Sequence, residues 1–210
     1  MIRDLLDALN WRYAVKKFDH RTVDQTTVED ILEAARLAPT SFGLQPFQIL
    51  LVTDSQTRKA LADVSMGQSK VVDSSHLIVF ASFTEFHQVR LQEYLRHAQQ
   101  VRGEQDKSLQ GMEKTLSKFF QTQSQQWLAA WAKRQTYIAM GTLLCACAMA
   151  KVDACPMEGF EAKKYDEILD LKKSGLTAAV IVTLGYRASN DAFASYGKIR
   201  KPLTHIVSRI

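Results

Sequence analysis

The spacing of apolar and polar positions changes several times along the chain, and each change marks an element. Ile2, Leu5, Leu6 and Leu9 recur at helical intervals, so Ile2 to Arg12 reads as a short amphipathic helix. A second stripe, Val28, Ile31, Leu32 and Ala35, predicts a helix opening near Thr26, where Thr26 and Glu29 have capping-box spacing. That helix ends before Pro39, because the residue preceding a proline disfavours the helical conformation. Phe47 to Thr53 (FQILLVT) and Leu77 to Phe83 (LIVFASF) are strand candidates, with a helix between them over Ser55 to Val64. From Glu85 to Gln126 the chain is polar, with a helical pattern through Val89, Leu91, Tyr94 and Leu95. Its glutamine-rich end, Gln121 to Gln126, is weakly patterned and is expected to be mobile.

Trp127 to Lys151 reads as the longest helix. After Arg134 it is apolar nearly all round (YIAMGTLLCACAMA), which puts it at the centre of the fold. Val152 to Cys155 reads as a short strand, Glu161 to Leu171 as a helix, and Leu176 to Leu184 (LTAAVIVTL) as a buried strand. No repeat or linker interrupts the pattern. Helices interspersed with few strands give an α+β class, in a single domain over residues 1–210.

Composition changes this picture little: 46% hydrophobic and 23% charged residues are ordinary globular values and exclude a disordered or collagen-like chain. Three cysteines, Cys145, Cys147 and Cys155, match no disulfide framework or metal-ligand spacing, and read as reduced thiols of a cytoplasmic protein. No metal site is expected. No signal peptide is evident at Met1 to Asn10, and no uncharged apolar run is long enough for a membrane span. Charge matters more. The net charge is +5, and Tyr186 to Ile210 holds Arg187, Lys198, Arg200, Lys201 and Arg209 against one acid, Asp191. Such a tail suits phosphate, nucleic acid or an anionic surface, or is simply a solvated basic face.

The usual phosphate-cradling glycine loops are missing, as are HExxH, CxxC and GxSxG. Six other places carry candidate chemistry. RYAVKKF (Arg12 to Phe18) follows a helix with three cations, suited to phosphate oxygens or to a basic turn. PTSFGLQP (Pro39 to Pro46) is a shaped loop with free hydroxyls and a glycine. In GQSK, Gln68 and Lys70 could donate to a polar ring edge. CPMEGF (Cys155 to Phe160) reads as a turn in which Pro156 and Gly159 fix the backbone, so that the amides of Glu158 and Gly159 point at a ligand. In KIRKP, alternation in an extended segment puts Lys198 and Arg200 on one side. Gln135 is a polar amide beside the apolar stripe of Trp127, Trp131 and Ile138, where it needs a partner.

Taken in order, RYAVKKF, APTSFGLQPF, GQSKVVDSSH, WAKRQTYIAMG, CPMEGF and KIRKP resemble the nitroreductase family, over almost the whole chain. The resemblance implies a central mixed, mostly antiparallel sheet flanked by helices, in an intertwined homodimer with FMN at the interface. It implies that Arg12, Lys198 and Arg200 hold the FMN phosphate, and that Lys16 and Lys70 lie near the pyrimidine edge of the flavin. Pro156, Met157, Glu158 and Gly159 match the loop flanking the ring. Pro39, Thr40, Ser41, Gly43, Gln68 and Gln135 match further FMN-binding positions, and Phe42 and Phe120 match the substrate pocket. Tyr13, Ala14, Gly43 and Gly67 stand where some members carry histidine, serine, asparagine and asparagine, so binding at Tyr13 and Ala14 is expected through backbone groups.

No side chain is expected to act as a nucleophile, since the cofactor carries the chemistry. The implied activity is reduction of small electron-poor acceptors, such as nitroaromatics or quinones, by NADH or NADPH in a ping-pong cycle, with neither nucleic acid nor membrane as partner. The alternatives are a flavin-binding store or regulator without turnover, and a nucleic-acid-binding basic protein.

Overall fold

The computed structural model describes residues 1–86, 88–103 and 108–210. The parts of the 85–126 stretch at 87 and 104–107 lie outside the described residues. The elements run α1 (Ile2–Trp11), α2 (Gln25–Arg36), β1 (Phe47–Val52), α3 (Ser55–Asp63), α4 (Lys70–Asp73), β2 (His76–Phe83), α5 (Gln88–Arg102), α6 (Ser108–Gln121), α7 (Gln125–Met149), β3 (Asp153–Met157), α8 (Ala162–Ile168) and β4 (Leu176–Gly185). The four strands form one sheet in the order β1-β2-β4-β3, and every strand pair is antiparallel. A parallel pairing enters as an isolated bridge, Ala14 with Ala154, which lays the segment after α1 along the edge strand.

Both faces of the sheet are covered. Side chains alternate across a strand, so Leu77, Val79, Ala81 and Phe83 of β2 join one core, and Ile78 and Phe80 join the other. In β4 the parity switches: Leu176, Ala178 and Ile181 share the first core, while Val180, Val182 and Leu184 share the second. The cause is a bulge. Phe80 pairs with Val180 but Ala81 pairs with Ala178, which leaves Ala179 as an extra residue. Helix α7 spans both cores, through Trp131 and Ala132 on one side and Ala139, Leu143 and Cys147 on the other. Its hydroxyl cap is Ser124, which accepts from the Trp127 amide at 3.1 Å, so α7 starts earlier than the apolar pattern alone indicates. The stretch expected to be mobile is the end of α6 and the turn into that cap.

Three readings of the sequence need correction. The cap of α2 is Asp24, whose carboxylate accepts from the amide and hydroxyl of Thr27, and Thr26 lies inside the helix. Asp24→Ala is therefore expected to lower stability by about 1 kcal/mol and Thr26→Ala by much less, which chemical denaturation of the two variants checks. Pro156 is not part of a turn: it lies within β3, an edge strand where its missing N–H costs no ladder bond, and the chain leaves the sheet only after Met157. Helix α8 stops at Ile168, because Asp170 takes a left-handed conformation (φ 55°).

Candidate functional site

A cleft of about 590 Å³ opens between the segment after α1, the end of β3 and the C-terminal segment. Arg12, Tyr13, Ala14, Lys16, Pro156, Lys198 and Arg200 all border it. The segment after α1 is extended because the helix ends on the Arg12 amide, which donates to the Ala8 carbonyl, and Arg12 itself adopts ψ 144°. Alternation then buries Val15 and turns Lys16 outward.

Asp191, which the sequence shows only as the single acid of a basic tail, holds this segment in place. Its carboxylate accepts from the Tyr13 hydroxyl (2.9 Å), the Lys16 amide (2.8 Å), the Lys17 amide (3.2 Å) and the Phe193 amide (3.1 Å). Burial pushes its pKa up, but these four donors outweigh burial and the net shift is downward. Burial and the bond to Asp191 raise the Tyr13 pKa, so the hydroxyl stays a donor. Beneath it, Arg187 donates to the buried Asp153 carboxylate (2.6 Å) and lies over the rings of Trp11 (4.3 Å) and Tyr13 (4.6 Å). Arg187 therefore belongs to the scaffold and not to the free cations of the tail.

The remaining cations face one another. Burial and Arg200 lower the Arg12 pKa; burial, Arg12 and Arg200 lower that of Lys198, whose ammonium donates to the Arg12 carbonyl. Burial raises the Cys155 thiol, against the opposing pull of Lys70, Lys16 and Arg12, so cations from two segments lie near one thiol. Among the described residues no carboxylate lies within ion-pair distance of Arg12, Lys16, Lys70, Lys198 or Arg200. Lys70, one of the two candidate donors of GQSK, is only 8% exposed. Crowded cations without a counter-ion fit a bound anion, which would relieve their repulsion.

The loop after β3 carries further donors, although Gln68, Lys70, Met157, Glu158 and Gly159 do not themselves border the cleft. Gln68 Nε2 donates to the Gly159 carbonyl at 2.7 Å, and the Phe160 amide to the Glu158 carbonyl at 2.9 Å. A Cβ at Gly159 would stand 2.9 Å from Gln68 Nε2, so this side chain would have to shift to admit one. Among the described residues the amides of Glu158 and Gly159 have no acceptor in the chain. The Met157 side chain is buried, so that residue can contribute only its backbone.

Other candidates lie apart from this cleft. Gln135 is buried on α7, and its Oε1 accepts from the Ser41 amide at 2.8 Å, which supplies the partner that its position demands. Thr40 Oγ1 accepts from the Gln45 amide, and the Tyr94 hydroxyl donates to the Phe42 carbonyl. These bonds hold Phe42 at φ 58° and Gly43 at φ 71°, a strained turn that leaves the Phe42 ring 47% exposed and edge-on to Phe119. Pro39, Thr40, Ser41, Phe42, Gly43 and Gln135 thus form a second group that does not border the cleft. Phe120 is buried among Phe86, Phe119 and Trp131, while Phe119 is the half-buried ring beside Phe42. Among the described residues no helix is long and apolar enough to cross a membrane.

Known proteins of similar sequence and fold point to one family. The family model described as nitroreductase matches residues 9–186. A Bacillus subtilis protein provisionally named NAD(P)H nitroreductase YfkO is 32% identical over 195 residues, covering 87% of this chain and 88% of its own. The crystal structure of ydfN from B. subtilis, described as a nitroreductase on the same provisional basis, superposes with a TM-score of 0.87 over the whole of both chains at 21% identity. One from Exiguobacterium sibiricum, described in the same way and solved in complex with FMN, has a TM-score of 0.84, covering 98% of this chain and 97% of its own at 16% identity.

Proposed function

The chain belongs to the nitroreductase family, and on that premise we propose that it is an FMN-dependent reductase, active as a homodimer, that oxidises NADH or NADPH and reduces small electron-poor acceptors. The observation that carries the proposal is the group Arg12, Lys198 and Arg200, three cations that border one cleft and have no ion-pair partner among the described residues. They suit a terminal phosphate. Lys16 and Lys70 supply positive charge where a reduced ring becomes anionic, and preorganised charge is the main means by which a protein stabilises such a form. The free amides of Glu158 and Gly159 suit the electron-rich edge of the ring, with Pro156 and Met157 carrying them. Tyr13 and Ala14 contribute backbone only, since the Tyr13 hydroxyl is engaged by Asp191. When bound, FMN supplies the redox chemistry, serving NAD(P)H and acceptor in turn at one pocket.

The second group completes the site from a second copy in this reading. Pro39, Thr40, Ser41, Gly43 and Gln135 do not border the cleft of their own chain. The C-terminal segment also carries exposed apolar residues, Ile199 (91%), Leu203 (75%) and Ile206 (66%), which suit burial against a partner subunit. Phe42 then faces the substrate pocket, with Phe119 better exposed for that role than Phe120. The proposal takes residues 1–210 as one FMN-binding domain. Its three free cysteines suit a cytoplasmic setting.

The test is direct. Purified protein is expected to be yellow, with absorbance near ~450 nm that bleaches when NADH or NADPH is added, because the cofactor carries the redox chemistry. Colourless protein that takes up no added FMN sinks the proposal. Yellow protein that neither nucleotide bleaches points to a flavin store without turnover.

A further inference from the structure

We propose that Tyr137 is a positioning residue that fixes the free amides of Glu158 and Gly159 by holding the Glu158 carboxylate; its functional consequence rests on the flavin reading above. Tyr137 stands on α7 where the end of β3 meets the bulge in β4. Its hydroxyl lies 2.5 Å from Glu158 Oε1 and 3.2 Å from the carbonyl of Ala179, the bulged residue. The shorter contact has the length of a charge-assisted O–H···O bond, so the proton goes chiefly to the carboxylate. Burial, and then the bond to Glu158, raise the tyrosine pKa, which keeps it a donor.

Hydrogen-bond accounting shows why this matters. Met157, opposite Ile181, is the last residue of β3 held by the ladder, so the sheet no longer fixes Glu158 and Gly159. Three acceptors in that pair are nevertheless tied: the Glu158 carbonyl by the Phe160 amide, the Gly159 carbonyl by Gln68, and the Glu158 carboxylate by Tyr137. Among the described residues, neither amide donor has an acceptor. Two of these ties are local or come from a flexible side chain. Tyr137 is different, because its backbone belongs to the helix packed on both cores, and its hydroxyl also touches the bulge. Lys133 and Arg134 border the same surface hollow, but neither forms an ion pair with Glu158 among the described contacts. Phe160, buried in the first core, and the Glu161 amide, which donates to the Val64 carbonyl at 2.9 Å, anchor the far end of the loop; Tyr137 is the tie from α7 to Glu158 itself.

Tyr137→Phe removes one oxygen and keeps the ring packing, so the variant is expected to fold. Backbone ¹⁵N relaxation on the purified full chain before FMN is added should show Glu158 and Gly159 falling from rigid values to order parameters below about 0.6. FMN affinity, read by fluorescence quenching, should fall about tenfold, the equivalent of roughly 1.4 kcal/mol. Glu158→Ala, which removes the acceptor, should match it, and the double variant should be no worse than either, since the two groups act as a pair. Unchanged order parameters in Tyr137→Phe, unchanged FMN affinity, or additive losses in the double variant would each overturn the proposal. Wild-type protein that binds no FMN would instead count against the flavin reading alone, because the relaxation measurement does not depend on it.

Discussion

Lys198→Ala combined with Arg200→Ala is expected to weaken FMN binding by roughly 10²- to 10³-fold while leaving the ligand-free protein almost as stable as before. The two halves of that result have different origins. Each cation offers a charge-assisted hydrogen bond to a phosphate, worth about 1.5–3 kcal/mol when the other partner remains. Two such losses, discounted because the contacts share one anion, give the stated range at 1.4 kcal/mol per decade. Without a ligand, burial lowers the pKa values of Arg12 and Lys198, and the neighbouring cations, which oppose one another, lower them further. Removing them relieves that repulsion and forfeits the bond from Lys198 to the Arg12 carbonyl, so the net change in stability is less than about 1 kcal/mol. Lys163→Ala with Lys172→Ala removes the same charge from exposed residues that do not border the cleft, and should leave FMN binding unchanged. FMN titration of the three proteins decides the matter. Equal affinity in all of them would remove the C-terminal clamp from the reading.

Asp191→Ala should give the largest loss of stability, about 3 kcal/mol, seen as a fall in Tm of roughly 6–12 °C for a chain of this size. The carboxylate accepts four hydrogen bonds, and alanine strands the Tyr13 hydroxyl and three amides together. The effect carries a pH signature. Because the folded pKa of Asp191 lies below its unfolded value of about 3.9, its contribution is present in full above that unfolded value and is lost as pH falls through the folded one. The difference in stability between wild type and Asp191→Ala, measured by denaturation from neutral pH to pH 3, should therefore be constant at first and narrow only below about pH 4. FMN affinity should fall as well, since Asp191 joins the Arg12–Lys17 segment to the Asp191–Arg200 segment and so sets the distance between the two halves of the phosphate clamp. A gap that widened on acidification would show that the carboxylate is not held as an anion.

Much of the fold was legible because its signals are local. The apolar runs of β2, α7 and β4 mark the elements that line both cores. Cap positions were less so. Asp24 and Thr26 are both plausible caps two residues apart, and which one is used depends on where Val23 is anchored, by its amide on Ser75 Oγ at 2.8 Å. The bulge at Ala179 was not legible at all, since alanines either side of the parity switch fit both faces. In the candidate site, residue types and order singled out segments but not the pairings between them. Arg187 has the charge of a phosphate ligand and is instead held by Asp153, while Lys70 looks like a surface residue and is buried. Tyr137 looked like one more large residue in an apolar helix, because nothing in its neighbourhood along the chain reveals Glu158 and Ala179 as partners.

By itself the sequence determined most of the elements, the α+β class and the set of segments that carry cations, shaped turns and aromatic rings. Those follow from periodicity, from proline and glycine, and from charge, all of which act between residues close in the chain. Only the tertiary structure decided which cations are free and which are held, that the loop of Ser41 and the cleft of Arg12 lie apart in one chain, and that Asp191 fixes the segment around Tyr13 from 178 positions away. Such pairings are set by how the two cores pack against the sheet. Contacts of that range have no local pattern to announce them, because packing selects them from many pairs that the sequence leaves equivalent.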